Sequence, residues 1–142
     1  MIGYIFSIIA GAAMSIQGVF NTRLSDKIGL YESNMFVQGT AFAFALIAMV
    51  IMGKGDITKI SECNKLYLLG GFLGIVITIT VMLSMTNLSP TVAVSVILIA
   101  QLVVAALIDA FGLFGTEKIA FGLTKYIGIA LMIAGVIIFK RQ

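Results

Sequence analysis

The sequence predicts an all-α integral membrane protein, a bundle of five transmembrane helices. Three observations carry the prediction. The 142 residues are 61% hydrophobic, with a mean hydropathy of +1.16, well above the roughly 45–50% apolar share of soluble domains. The apolar residues gather into five segments, each close to the roughly 20 residues that span a hydrocarbon core. The charged residues, 11% of the chain, fall almost entirely between those segments.

The segments are 2–22, 33–53, 66–87, 90–113 and 119–139. The stretches 23–32, 54–65 and 114–118 read as loops, and 88–89 as a tight turn. The first segment lacks a basic leading region, so it reads as a retained span rather than a signal peptide. One helical domain over residues 1–142 is the expectation.

The first segment holds Gln17 and Asn21, four apart and so on one helix face. Beside them, Gly11, Ser15 and Gly18 form a small-residue stripe along which another backbone can approach. The second holds Gln38 and Thr40. Because successive helices reverse direction, Gln38 falls at a depth similar to that of Gln17, each roughly 7–8 Å from its helix centre. The third carries Gly70, Gly71 and Gly74, with Thr78 near the midplane. The fourth begins at Pro90, the single proline, and extends roughly 35 Å, with Gln101 near the midplane and Asp109 about 11 Å from it. The fifth places Gly128 and Gly135 on one face, seven residues apart.

Polar groups at such depths are costly in lipid and should face protein or a watery cavity. Two readings of the amides stand side by side. Gln17, Asn21, Gln38 and Gln101 line a path for a solute, or they tie helices together, a use worth about 0.6–2 kcal/mol each. Asp109 is the only acid inside a predicted span. It is available for proton coupling, or it is an interfacial carboxylate satisfied by a headgroup, water, Thr116 or Lys118. In an antiparallel pair its depth matches that of Asn21 in the inverted copy, so a charge-assisted hydrogen bond could lock the dimer there.

Composition removes several function classes. There is no histidine, and Cys63 stands alone in a loop, so no metal cluster or disulfide framework is expected. No nucleophile–base pair, paired intramembrane carboxylates or phosphate loop occurs, so neither an enzyme nor a cofactor is expected. The net charge of +3 is scattered over loops. It suits a lipid bilayer with anionic headgroups and forms no basic stripe for nucleic acid.

An odd number of spans puts the termini on opposite sides. The N-terminal side then carries Lys54, Lys59, Lys65, Lys118 and Lys125, and the other side Arg23, Lys27, Lys140 and Arg141. So small a bias leaves two readings under the positive-inside rule. Copies insert both ways and pair antiparallel, or a partner fixes one orientation.

These residues resemble the five-helix YdcZ-like branch of the drug/metabolite transporter superfamily over essentially the whole chain. The resemblance rests on AMSIQGVFNTRL in the first helix, AQLVVAALIDAFGLFG in the fourth and YIGIALMIAGVIIF in the fifth. A more distant similarity is to the four-helix small multidrug resistance proteins. Their third helix also opens with Pro-Thr and closes on a Gly-x-Phe-Gly tail, as Pro90, Thr91, Gly112, Phe114 and Gly115 do here. The resemblance implies an antiparallel or paired dimer with the fifth helix, through Gly128 and Gly135, at its interface and a transport path between the first helices of each bundle. The chain departs from those proteins in having no carboxylate near Gln17, which removes their proton-coupled export of organic cations as an expectation.

The leading expectation is therefore a small-solute transporter of the cell membrane, working as a homodimer or with a paired homologue. A lipid-linked translocation or accessory subunit without a soluble substrate is the alternative. A third option is an assembly partner that folds only with a distinct homologue.

Overall fold

The computed structural model describes residues 1–119 and 122–140. Five α-helices follow one another: α1 (Ile2–Ile28), α2 (Leu30–Met52), α3 (Gly70–Asn87), α4 (Pro90–Phe111) and α5 (Leu123–Lys140). Short 3₁₀ turns occur at Ile57–Glu62, Lys65–Leu69 and Leu113–Gly115. No strand occurs among the described residues.

Among the described residues, four helical stretches are long and apolar enough to cross a membrane: Ile2–Ile28, Leu30–Met52, Lys65–Asn87 and Pro90–Phe111. The fifth expected span, 119–139, is only in part such a helix. Its apolar portion, Leu123–Phe139, is shorter than the other four. Ala120 and Phe121 of that segment, and Arg141 of the charge tally, lie outside the described residues.

The expected loop at 23–32 is corrected. Helix α1 runs on through Arg23 and Lys27, and Gly29 alone separates it from α2. Gly29 has φ of 100° and ψ of 156°, a conformation open to glycine and to almost nothing else. Its N–H donates to Ser25 O at 3.0 Å, and its carbonyl accepts from Ser33 N at 3.0 Å, so both helix ends stay bonded across the turn. Hydropathy reports the surroundings a residue prefers, not its backbone conformation, which is why the polar stretch was read as a loop.

The chain forms two compact units, Met1–Asn87 and Leu88–Gln142. In the first, α1, α2 and α3 pack against one another. Gly18 makes the closest approach: a Cβ there would lie 2.6 Å from Met85 Cε and 3.2 Å from Val81 Cγ1. Of the small-residue stripe, only Gly18 is used in this way, because a Cβ on Gly11 would meet nothing within 4 Å. In the second unit, α4 packs on α5. Ser89 caps α4, its Oγ accepting from Val92 N, and Pro90 occupies the first turn, where its missing N–H costs nothing.

The chain is apolar on the outside. Among the described residues, the only buried hydrophobic side chains are Met82, Met85 and Ala93, while Phe42, Phe44 and Ile51 are each at least 70% exposed. An aqueous surface of this kind would aggregate; surrounded by acyl chains it is stable. Hydroxyls within the helices turn back on their own backbone, as Ser15 Oγ does to Gly11 O (3.0 Å), Thr80 Oγ1 to Val76 O (2.8 Å) and Ser95 Oγ to Thr91 O (2.7 Å). Such bonds satisfy a hydroxyl inside a bilayer without any partner helix.

Candidate functional site

Asn87 finds the same local solution, its Nδ2 donating to Leu83 O at 2.7 Å, and the other helical amides separate into two groups. The first group lies where α1, α2 and α3 meet. Asn21, Thr22, Ser33 and Asn34 are all buried. Ser33 Oγ donates to Asn21 O at 3.3 Å and approaches Met82 Sδ at 3.7 Å, joining the three helices at one point. One turn along α2 from Asn34, Gln38 Nε2 donates to Thr78 Oγ1 at 3.2 Å, and Thr78 donates in turn to Gly74 O at 2.8 Å. A Cβ on Gly74 would sit 3.7 Å from Gln38 Nε2, so that glycine leaves room for the amide. Within this seam Asn34 Oδ1 is buried and accepts no hydrogen bond among the described residues. A buried acceptor left unpaired costs on the order of 1–3 kcal/mol.

The second group is exposed. Gln17 on α1 and Gln101 on α4 are both open on the surface of the single chain. Gln17 does not join Gln38, whose bond goes to Thr78. Its neighbour one turn on, Asn21, is buried.

In the second unit, Asp109 is half-buried and lines a cleft between α4 and α5. The cleft has a volume of about 460 Å³ and is half-open. Leu102, Ala105 and Ala106 of α4 and Gly128, Ile129 and Met132 of α5 line it, together with Asp109 and Lys125. The Gly112–Gly115 tail works as a folded-back cap. Gly112, at φ of 64°, ends α4 by donating to Ile108 O, and Phe114 and Gly115 also have positive φ. The chain then returns so that Ile119 N donates to Asp109 O at 2.9 Å. Thr116, one expected partner of the Asp109 carboxylate, instead gives its hydroxyl to Leu113 O at 2.9 Å. A Cβ on either Gly128 or Gly135 would meet nothing within 4 Å.

Three participants escaped the sequence reading. Ser33 and Asn34 open the second expected span with no role assigned to them, and Lys125 enters only the count of charges on the N-terminal side. A signal for Lys125 did exist: in antiparallel helices joined by a short connection, the first turn of one faces the last turn of the other. No group of three or more acidic, histidine or cysteine side chains suited to a metal occurs among the described residues.

Among the described residues, four apolar helices of spanning length with amides along them define a multi-pass integral membrane protein of the cell membrane. The family model described as "Putative inner membrane exporter, YdcZ" matches residues 2–138, and the chain belongs to that family. The family points to a membrane transporter rather than an enzyme. Neither the curated proteins nor the solved structures returned a match.

Proposed function

We propose that this chain is a small-solute transporter of the drug/metabolite transporter type that works as a pair of copies related by an antiparallel axis. The observation that carries the proposal is the exposure of Gln17 and Gln101 within apolar spans. Neither makes a hydrogen bond among the described residues, and acyl chains offer none. A second copy that covers these faces, or a watery path between copies, removes that cost.

In this reading α5 is the fifth span and residues 1–142 form one membrane domain. Its Leu123–Lys140 helix is about 27 Å long, close to the thickness of a thin hydrocarbon core. Gln17, Asn21, Gln38 and Gln101 face the solute. Asn34 joins them as an acceptor awaiting a donor. Amides both donate and accept, which suits a neutral, zwitterionic or otherwise hydrogen-bonding solute. Asp109 couples transport or locks the dimer, and Gly128 and Gly135 allow close approach between copies. Rocking of the two halves around a midplane site would give alternating access.

The test is transport by proteoliposomes of a panel of small neutral and zwitterionic solutes, comparing the native chain with Gln101→Leu. The expected result is loss of transport in the variant with dimer assembly intact, assembly being read by cross-linking Gly135→Cys in a Cys63→Ser background. Unchanged transport would remove the lining role. Lipid translocation without solute transport would favour the lipid-linked alternative.

A further inference from the structure

The α4–α5 cleft joins charge at one end to an apolar trough. Its two charged residues are at one end. Asp109 is in the last turn of α4 and Lys125 in the first turn of α5. Below them the lining is wholly apolar. Ala106, Ala105 and Leu102 descend α4, while Gly128, Ile129 and Met132 descend α5. Seven residues from Asp109 to Leu102 correspond to about 10 Å of depth. The volume of about 460 Å³ falls within the roughly 300–1,000 Å³ usual for small-ligand sites.

We propose that this cleft holds one phospholipid with a primary-amine zwitterionic headgroup, of the phosphoethanolamine type. The Lys125 ammonium takes the phosphate and the Asp109 carboxylate takes the headgroup ammonium. An acyl chain lies down the apolar cleft over Ala105, Ala106 and Gly128, whose small side chains leave the space. A free zwitterionic solute would satisfy the charges and leave the 10 Å trough below them empty, whereas a phospholipid fills both parts. A phosphatidylglycerol headgroup lacks the ammonium and would set its charge against Asp109. A choline headgroup carries its charge on methyl groups and cannot donate a hydrogen bond to the carboxylate. The proposal departs from the transport reading at this site, since a lipid seated here takes Asp109 and Gly128 out of the coupling and interface roles given them there.

Vesicles of equal parts phosphatidylethanolamine, phosphatidylcholine and phosphatidylglycerol would supply the lipids, and native mass spectrometry of the extracted protein would count those retained. Phosphatidylethanolamine should be retained over the other two on the order of tenfold, the scale of one hydrogen bond to a charged group. Asp109→Asn should bring its advantage over phosphatidylcholine close to one. Lys125→Gln should lower retention of every phospholipid, and Lys125→Arg should keep it. Gly128→Leu, which fills the cleft with both charges in place, should expel the lipid while helical content stays unchanged. Equal retention of the ethanolamine and choline lipids, or an undiminished preference in Asp109→Asn, would overturn the proposal. Displacement of the lipid by millimolar glycerophosphoethanolamine would overturn it in favour of a free-solute site.

Discussion

Gln38 Nε2 lies 3.2 Å from Thr78 Oγ1, and this bond joins α2 to α3 within the bilayer-spanning part of the first unit. The hydroxyl that receives it is already committed to Gly74 O, so its oxygen is turned toward the amide. Thr78→Val keeps the shape and removes the acceptor. It should destabilise the helical unit by about 0.6–2 kcal/mol, the usual worth of such bonds in membranes. Reversible unfolding in mixed micelles checks this, and no change in the midpoint would mean that Gln38 finds an equal partner elsewhere.

The contact between Gly18 and Met85 predicts a graded series. In Gly18→Ala, the new methyl meets the far end of a flexible methionine, which can swing aside, and comes within 3.2 Å of Val81 Cγ1, which must give slightly. Any loss there should be small, because alanine is also favoured over glycine in a helix. In Gly18→Leu, the branched side chain also meets Val81 and must force α1 away from α3. Overpacking of that kind costs about 1–3 kcal/mol. Equal stability of the alanine and leucine variants would show that the helices are not closely seated here.

Gly29 is a different case, because its backbone sets a requirement in addition to the close Glu32 carboxylate. At φ of 100° an alanine is strained whatever the space. Gly29→Ala should therefore cost about 1–3 kcal/mol. It should also raise protease sensitivity at the α1–α2 junction more than elsewhere. Limited proteolysis in detergent reads both the site and the rate.

Cys63 is exposed and is the only cysteine of the chain, in the connection between α2 and α3. It reports orientation without any mutation. If copies insert both ways, a membrane-impermeant maleimide should label about half of them from either face of sealed vesicles. Labelling confined to one face would rule out dual insertion.

Asp56 gives a pH prediction for the same connection. Its carboxylate accepts from Thr58 Oγ1 at 2.6 Å and from Thr58 N at 3.0 Å, and these bonds, the side-chain one first, hold its pKa below the ordinary 3.8. A depressed carboxylate stabilises the turn above the unfolded value and loses that contribution as pH falls through the folded one. The Thr58 amide should stay protected from hydrogen exchange at neutral pH and lose that protection only below about pH 4, near the unfolded aspartate value. Protection unchanged at still lower pH would show that the turn does not depend on the charge.

The positions of the apolar helices were legible in the sequence because crossing a bilayer needs length and hydropathy, and both are local properties of the chain. Pro90 could be placed at a helix start for the same reason: its ring and missing N–H decide the matter within one turn. The helical continuation through Arg23 and Lys27 to Gly29 was not legible. Polarity marks departure from lipid, and only the packed unit shows that the backbone stays helical beyond it.

The functional residues divide along the same line. The sequence by itself determined which side chains a bilayer would reject: Gln17, Asn21, Gln38, Gln101 and Asp109. Only the tertiary structure decided their circumstances. Gln38 is bonded to Thr78 and Asn21 is buried, while Gln17 and Gln101 are left exposed. Asp109 shares an apolar cleft with Lys125. The physical reason is that the cost of burying a polar group belongs to the residue, whereas its relief depends on what another helix brings within about 3 Å.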